Sequence, residues 1–313
     1  MAEQIATRDA YGKALAELGE RNPKVVVLDA DLSGSTKTAV FAKKFPERFF
    51  NMGVAEQDLM GTAAGFALMG KIAFASTFAV FATGRAWEIV RQSIVYPHLN
   101  VKICASHAGL TVGEDGASHQ TVADVAIMRV LPGMTVLVPA DAVETEQMVA
   151  AAAAHDGPVY IRLSRAKSPV VFDAGYSFKI GKAKALTEGK DLGIIACGLM
   201  VPHALEAAKI LEKEGIHVTV VNCSTIKPLD EATILEVAKK TGVLITVEEH
   251  SILGGLGSAV SECLGEAHPV RVFRMGVRDE FGQSAPAEEL LKHYRLMPSD
   301  IAAAAKKVIQ EKK

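Results

Sequence analysis

The sequence lacks any run of residues long and apolar enough to cross a membrane. Its longest stretch without Asp, Glu, Lys or Arg is Leu192–Leu205, which has 14 residues and contains glycine, proline and histidine. A membrane-spanning helix needs about 18 or more apolar residues. The N-terminus carries Arg8 and Asp9 early and has no signal-peptide pattern. The sequence therefore predicts neither a membrane span nor secretion.

An excess of basic residues is also missing. Lys and Arg number 34 against 36 Asp and Glu, so the formal net charge is −2. A protein that binds nucleic acid or an anionic membrane would show a basic surplus or a basic stripe. We therefore expect no nucleic-acid partner and no membrane partner.

Cysteine is scarce and scattered. The four cysteines are Cys104, Cys197, Cys223 and Cys263, and no two of them form a Cys-x-x-Cys pair. This usage is typical of reduced thiols in a cytoplasmic protein. We therefore expect a cytoplasmic location.

The sequence does contain a regular alternation of short apolar runs and amphipathic stretches. Its 313 residues are enough for about two domains. In the first half the apolar runs are nearly continuous, as in strands that are buried on both faces. The predicted strands are Val25–Asp29, Phe49–Met52, Ile72–Ser76, Val101–Ser106, Thr135–Val138 and Val159–Leu163, and helical patterns cover Arg8–Leu18, the stretch from Glu56, Ala86–Val95 and Val143–Ala154. This alternation predicts an α/β fold with a mostly parallel sheet flanked by helices.

The alternation stops between Arg165 and Lys190, where glycines and Pro169 interrupt it, and then restarts. In the second half the predicted strands are Leu192–Cys197, His217–Val221, Val243–Val247 and Val270–Met275, and the predicted helices are Pro202–Glu214, Glu231–Lys239, Leu256–Leu264, Pro286–Lys292 and Pro298–Gln310. We therefore expect two α/β domains, residues 1–165 and 191–313, joined by a linker at 166–190.

Polar and aromatic side chains follow the strands of the first predicted sheet, where each strand ends. The segments are Asp31-Leu-Ser-Gly-Ser35, Gly53-Val-Ala-Glu56-Gln57, Thr77-Phe78-Ala-Val-Phe81, the stretch from His107 to Gln120, and Ser164-Arg165. Because open parallel sheets bind ligands at the carboxyl ends of their strands, we expect these side chains to lie together. Carboxylates, histidines, aromatics and an arginine at one edge are typical of a functional site.

Each of these groups also has a structural interpretation when taken alone. Glu56 opens a predicted helix, where a carboxylate is favoured by the helix dipole. Phe78 and Phe81 are one helical turn apart, and such pairs usually belong to a core. Arg165 could simply pair with an acid.

Two further motifs favour structural interpretations. His107 and His119 could bind a metal with Glu114 and Asp115, but metal sites usually have closer histidine spacing or a third histidine. The stretch Leu253-Gly-Gly-Leu-Gly257-Ser resembles a phosphate loop but fits neither the Walker pattern nor the dinucleotide pattern. We therefore expect it to serve close helix packing.

Taken together, the segments at the predicted sheet edge resemble the pyrimidine-binding domain of transketolases. Their order and spacing match over the whole first domain, and the string Gly113-Glu-Asp115-Gly-x-x-His119-Gln is the most specific of them. The second half, with Ile226-Lys-Pro-Leu-Asp and the glycine-rich stretch after Ile252, is similar to the transketolase C-terminal domain. The resemblance covers essentially the entire chain.

Full-length transketolases begin with another α/β domain, which binds thiamine diphosphate through a Gly-Asp-Gly metal motif, and this sequence contains no Gly-Asp-Gly. The resemblance therefore implies the C-terminal half of a split transketolase, with an N-terminal transketolase subunit as its partner. It also implies self-association and a heterotetramer. The diphosphate and a divalent metal such as Mg²⁺ would be bound mainly by the partner chain, and this chain would contribute no metal ligand.

The resemblance also implies roles at the cofactor. Glu56 would be the catalytic carboxyl that hydrogen-bonds the pyrimidine ring of thiamine diphosphate. Phe78 and Phe81 would hold that ring, and Asp31 would contact the cofactor region less directly. The family often has a third aromatic three residues after Phe81, but this sequence has Gly84 there, so the ring pocket is either looser or filled from elsewhere.

For the substrates, the resemblance implies transfer of a two-carbon ketol unit from a ketose phosphate to an aldose phosphate, as in the pentose phosphate pathway. Asp115 would hydrogen-bond a substrate hydroxyl, and His119 would bind the carbonyl end and act in catalysis. The remaining matched positions would bind the sugar phosphate, for which the planar fork of arginine is suited. They are Arg8, Ser35, His107 and Arg165.

Three alternatives remain open. A 1-deoxyxylulose-5-phosphate synthase shares the Asp115 and His119 pattern but typically has arginine at the Phe81 position. The β chain of a 2-oxo-acid dehydrogenase has a similar length but lacks the Gly-Glu-Asp-Gly-x-x-His-Gln string. A catalytically silent assembly or regulatory subunit is the third alternative, against which the joint presence of Glu56, Asp115, His119 and Arg165 argues.

Overall fold

The computed structural model describes residues 3–173 and 175–311, and it contains two mostly parallel sheets flanked by helices. The strands are β1 Gln4–Ala6, β2 Val25–Asp29, β3 Phe49–Asn51, β4 Ile72–Phe78, β5 Val101–Ser106, β6 Thr135–Leu137, β7 Val159–Arg162, β8 Lys167–Pro169, β9 Lys184–Ala185, β10 Leu192–Ala196, β11 Val218–Asn222, β12 Thr225–Lys227, β13 Val243–Ser251 and β14 Arg271–Val277. The α/β fold class predicted from the sequence is confirmed.

The α-helices lie between these strands. They are α1 Thr7–Arg21, α2 Ser33–Thr36, α3 Ala39–Lys44, α4 Glu56–Leu68, α5 Trp87–Ile89, α6 Asp124–Arg129, α7 Ala142–Ala154, α8 Met200–Glu212, α9 Glu231–Thr241, α10 Leu256–Ala267, α11 Ala287–His293 and α12 Pro298–Gln310. Short 3₁₀ turns occupy Pro46–Arg48 and Leu110–Asp115, and π turns occupy Phe81–Arg85 and Val90–Val95. No helix in the described ranges is long and apolar enough to cross a membrane.

The first sheet has the strand order β12-β6-β7-β5-β4-β2-β3. Strands β2 to β7 run parallel, and each corresponds to a strand predicted from the sequence. The edge strand β12 comes from the second half of the chain and pairs antiparallel with β6. The sequence analysis missed β12 because three residues are too few for a periodic pattern.

The second sheet has the order β14-β13-β10-β11-β9, in which only β9 is antiparallel to its neighbour. Strand β13 continues to Ser251, four residues beyond the predicted end at Val247. The prediction stopped there because Glu248, Glu249 and His250 are polar, yet all three are buried.

Apolar packing joins the two sheets. One cluster of buried side chains includes Leu28 and Ile103 from the first sheet together with Ile195 and Leu244 from the second. Burial of apolar surface is the main favourable term in folding. The two sheets therefore share a core, and side chains of the second domain can reach the site on the first.

The helix predicted over Ala86–Val95 is irregular. The structure has the short helix α5 between two π turns. Each π turn has a wider turn of backbone than an α-helix, so the segment is not one continuous α-helix. Such π segments occur often at functional sites. Here the first π turn begins at Phe81 and ends at Arg85, and it sets the position of the Arg85 side chain.

Candidate active site

The loop after β2 is shaped by the buried carboxylate of Asp29. One oxygen accepts from the backbone N–H of Leu32 at 2.6 Å, and the other accepts from the hydroxyls of Thr36 at 2.6 Å and Thr38 at 2.8 Å. Burial raises the pKa of Asp29, although these hydrogen bonds oppose the shift. Asp29 therefore fixes the loop that carries Asp31 and Ser35.

Asp31 has a left-handed backbone, with φ of 62°, a conformation that is uncommon outside glycine. Its carboxylate accepts from Nδ2 of Asn51 at 2.9 Å, while Oδ1 of Asn51 accepts from the backbone N–H groups of Asp31 and Gly53 at 3.0 Å. Asn51, which the sequence analysis missed, thus ties Asp31 to the segment that leads into Glu56. The described hydrogen bonds of Asp31 go to Asn51 and not to the other predicted site residues.

Glu56 opens α4, and its side chain is only 2% exposed. Both carboxylate oxygens accept from Nη1 of Arg85 at 2.9 Å. The Arg85 guanidinium also lies over the ring of Phe81, 4.9 Å from its centroid. Arg85 was not among the site residues predicted from the sequence, although its position four residues after Phe81 is a signal that could have identified it.

Four of the predicted site residues form an aromatic cluster, which consists of Phe78, Phe81, His107 and His119. The rings of Phe78 and Phe81 are nearly parallel, with centroids 6.0 Å apart, and His107 stacks on Phe78 at 3.8 Å. His119 meets both phenylalanines edge-on, at 5.6 Å from Phe81 and 6.3 Å from Phe78. The structure therefore brings together residues that follow two different strands.

His107 is a neutral imidazole with a defined tautomer. Its Nε2 lies 3.1 Å from Nη1 of Arg8, which can only donate, so Nδ1 carries the proton and donates to Oγ of Ser106 at 2.9 Å. Burial, followed by the charges of Arg8 and Arg165, lowers the pKa of His107 to about 3. Both ring nitrogens are used, which leaves neither for a metal ion.

Two arginines line the same edge. Arg8 donates to the backbone carbonyl of Ser35 at 3.1 Å. Arg165 donates to the carbonyl of Val112 and lies 3.4 Å from a carboxylate oxygen of Asp115. Burial lowers the pKa of Arg8, and the nearby charge of Arg165 acts in the same direction. Two guanidinium groups therefore lie at this edge, and one of them stands between the carboxylates of Glu114 and Asp115.

The loop that carries Asp115 and His119 is held by the second domain. The buried carboxylate of Glu249, on β13, accepts from the backbone N–H of Thr111. A Cβ atom at Gly109 would lie 2.4 Å from Oε1 of Glu249, so only glycine fits there. Burial raises the pKa of Glu249. The sequence analysis missed Glu249 because nothing local connects it to this loop.

A second contact between the domains supports the same loop. The Gln120 side chain donates to the carbonyls of Leu110 and Gly113 at 3.1 Å and of Gln283 at 2.8 Å. The hydroxyl of Ser284 donates to the Glu114 carbonyl at 2.6 Å. The position of the loop therefore depends on both domains.

The described ranges contain no group of three or more His, Cys, Asp or Glu side chains placed to hold a metal ion. The glycine-rich stretch after Ile252 serves close packing, as expected: a Cβ at Gly255 would lie 2.0 Å from Glu248, and a Cβ at Gly257 would lie 2.8 Å from Arg274.

A family model described as the pyrimidine-binding domain of transketolase matches residues 3–170, and one described as the transketolase C-terminal domain matches residues 181–301. The chain belongs to the transketolase family. The resemblance found in the sequence motifs is therefore confirmed.

Similar proteins include separate half-chains. A Methanocaldococcus jannaschii protein named for a transketolase C-terminal section is 51% identical over 309 residues, which covers 98% of this chain and 96% of that protein. A solved structure described as a split gene transketolase, an inactive β4 tetramer, is 58% identical with a TM-score of 0.93, and the match covers 99% of this chain and all of that one. Human transketolase is 37% identical over 313 residues, but this chain covers only 50% of its length.

Proposed function

We propose that this chain is the subunit of a two-chain transketolase that supplies the pyrimidine side of the active site. The assembled enzyme transfers a two-carbon ketol unit from a ketose phosphate to an aldose phosphate. The observation that carries this proposal is the buried carboxylate of Glu56 beside the aromatic cluster, linked to Phe81 by a single guanidinium.

The residues at this edge fit an aminopyrimidine. Such a ring is flat, and Phe81 offers it a face for stacking, while Phe78, on which His107 already stacks, would add apolar contact. The Arg85 guanidinium contacts both the oxygens of Glu56 and the ring of Phe81, so a charged acceptor lies near that ring. Thiamine diphosphate supplies, when bound, a carbon nucleophile that the protein's side chains cannot provide.

Glu56 would hold the hydrogen bond to the ring nitrogen of the pyrimidine. A buried carboxyl at 2% exposure is shielded from water, so that a hydrogen bond to it is stronger than in solvent. Glu56 would therefore act as the proton-handling group of this chain.

Asp115 and His119 would bind the reacting end of the sugar. The Nδ1 atom of His119 lies 2.9 Å from the hydroxyl of Ser118, which leaves Nε2 for a substrate oxygen. Asp115 is exposed beside Arg165 and can accept from a substrate hydroxyl.

Arg8, Ser35 and Arg165 would bind the phosphate group of the sugar, and His107 would support Arg8 at the same site. The Nε of Arg8 is buried and has no hydrogen-bond partner in the described part of the chain. A buried donor without a partner is costly, and a phosphate oxygen is the strongest acceptor that could satisfy it. Both ring nitrogens of the neutral His107 are already paired, so it would act by holding Arg8 in place and not by a hydrogen bond of its own to the phosphate.

A partner chain would supply the diphosphate site and its divalent metal, such as Mg²⁺. The absence of a Gly-Asp-Gly motif and the coverage of half of human transketolase support an N-terminal subunit as that partner. The inactive β4 tetramer of the similar split-gene protein supports self-association and, with the partner, a heterotetramer.

The domain division 1–165, 166–190 and 191–313 belongs to this proposal, as do a cytoplasmic location and a place in the pentose phosphate pathway. The linker contributes β8 to a pairing with β1 and β9 to the second sheet, so each of its ends is anchored in one domain. The four cysteines are free thiols, which is consistent with a reducing compartment.

Reconstitution tests the proposal. The chain is purified alone and together with a co-expressed transketolase N-terminal half that carries the Gly-Asp-Gly motif, and ketol transfer from a ketose phosphate to an aldose phosphate is measured with Mg²⁺ and thiamine diphosphate. We expect activity only from the two chains together. Substantial transfer by this chain alone would overturn the split-enzyme proposal, and turnover with pyruvate as the only donor would favour the deoxyxylulose-phosphate alternative.

A further inference from the structure

The Arg85 side chain occupies the space that the proposed function requires for the pyrimidine ring. Its Nη1 atom donates to both oxygens of Glu56 at 2.9 Å, and its guanidinium carbon lies 4.9 Å from the centroid of Phe81. Gly84, at the position where the family often has a third aromatic, leaves open space beside it.

A guanidinium and an aminopyrimidine make the same kinds of contact. Both are flat, both stack on an aromatic face, and both place N–H groups in the ring plane. Two flat groups cannot cover the same face of Phe81 while hydrogen-bonding to the same carboxylate. Binding of the ring therefore requires that Arg85 leave.

The side chain of Arg85 is free to leave. It is 54% exposed, and a Cβ built on the neighbouring Gly84 meets no atom within 4 Å other than those of its chain neighbours and its own helical turn. The backbone carbonyl of Arg85 is held separately, because it accepts from the Gln57 side chain at 3.3 Å. A rotation about the side-chain bonds can therefore carry the guanidinium into solvent without movement of the main chain.

The ion pair between Arg85 and Glu56 also stabilises the free subunit. Glu56 is nearly inaccessible to water, and a buried carboxylate without a partner is strongly destabilising. Arg85 neutralises it in the subunit before any ligand arrives.

We propose that Arg85 is a placeholder for the pyrimidine ring: it pairs with Glu56 and covers Phe81 in the cofactor-free subunit, and its side chain is displaced when the ring binds. This inference rests on the proposed function. It predicts that Arg85 competes with thiamine diphosphate, so that removal of its side chain tightens binding while it weakens the free subunit.

The test is a calorimetric titration of the two-chain enzyme with thiamine diphosphate in Mg²⁺, for the wild type and Arg85→Ala. A partly exposed ion pair and a cation–π contact together oppose binding by an amount that corresponds to about 3–30-fold in Kd. We expect Arg85→Ala to bind more tightly by that factor and to lower the melting temperature of the free subunit. Arg85→Gln, which keeps most of the side chain, should change Kd in the same direction and decides the matter if the alanine variant does not fold.

Arg91→Ala is the matched control. Arg91 pairs with Glu88 at 2.9 Å on the surface nearby, and both side chains are exposed, so we expect no change in Kd. An unchanged or larger Kd for the Arg85 variants would overturn the inference, because Arg85 would then be neutral toward the ring or help to hold it. Failure of the wild-type enzyme to bind thiamine diphosphate at all would instead overturn the proposed function.

Discussion

Both sheets have acidic side chains near their carboxyl edges, but the groups that pair with these acids differ between the two sheets. In the second sheet, Glu248 accepts from the first two backbone N–H groups of α10, at Leu256 and Gly257, both at 2.8 Å. Glu249 accepts from Thr111, and both acids are buried. The hydrogen-bond partners named here are backbone groups of the fold, and the one side chain beside Glu248 in the described residues, His250 at 3.6 Å, is itself buried.

At the first sheet Asp29 is also held by buried groups of the fold, but the acids nearer the site have side-chain partners that can move. Glu56 is paired with the half-exposed Arg85, Asp115 pairs loosely with Arg165 at 3.4 Å, and Nε of Arg8 has no partner in the described residues. An acid at the carboxyl edge of a parallel sheet is thus structural where backbone N–H groups satisfy its hydrogen bonds. It is a candidate for function where a ligand can replace its side-chain partner. The four predictions below test that contrast.

The largest effect should come from Glu56→Gln in the assembled enzyme. The substitution keeps the shape of the side chain and removes the acid, and proton-transfer groups contribute about 10²–10⁴-fold in rate. We expect kcat to fall by that factor while size-exclusion chromatography shows an intact assembly. Glu248→Gln at the other edge is the control: it should lower stability but leave the rate per folded molecule nearly unchanged. Equal losses in kcat for the two variants would contradict the distinction between a functional Glu56 and a structural Glu248.

A comparable effect, on stability alone, is expected for Arg162→Met. Arg162 donates through Nε to the fully buried Asp124 at 2.7 Å and also to the backbone carbonyl of Glu249 at 2.9 Å. Removal of one partner of a buried ion pair costs about 3–5 kcal/mol in the free energy of unfolding, which denaturant titration measures. The double variant Arg162→Met/Asp124→Leu should recover part of the loss. Because Asp124 also accepts from the buried Tyr160 hydroxyl at 2.7 Å, no recovery would mean that the bonds to Glu249 and from Tyr160 outweigh the unpaired charge.

A smaller effect should follow from Arg165→Ala, and it should depend on the substrate. A hydrogen bond between charged groups is worth roughly 1.5–3 kcal/mol, so kcat/KM for phosphorylated acceptors should fall by about 10–100-fold. Acceptors without a phosphate never make this contact and should be nearly unaffected. The same loss with both kinds of acceptor would show that Arg165 supports the fold or a subunit contact.

The smallest effect concerns acid stability. The pKa of His107 is about 3 in the folded chain because of burial and two arginines, whereas an unfolded histidine titrates near 6.5. Below about pH 6.5 His107 is therefore protonated in the unfolded chain but not in the folded chain. This difference lowers the free energy of unfolding as the pH falls toward 3. We expect the melting temperature of His107→Gln to fall less between pH 7 and pH 5 than that of the wild type. Parallel curves would show that His107 takes up its proton in the folded chain.

The sequence could predict some features of these edges and not others. The strands β2 to β7 and the start of α4 at Glu56 agree with the predicted elements to within a few residues, because hydrophobic periodicity is a local property. The neighbourhood of Phe78, Phe81, His107 and His119 followed from the rule that parallel strands bring their carboxyl ends to one edge. Their roles in binding and catalysis remain predictions.

What the sequence by itself determined is therefore the alternation of elements, the two sheets and most, but not all, of the side chains at the first edge. The tertiary structure decided which of those side chains are paired and by what. Thr111 and Glu249 are 138 positions apart, and Glu56 and Arg85 are 29 apart; no local pattern encodes either contact. The reason is physical: periodicity reports which face of an element is buried, whereas a hydrogen bond between distant residues depends on the path of the whole chain and on the shared core that fixes it.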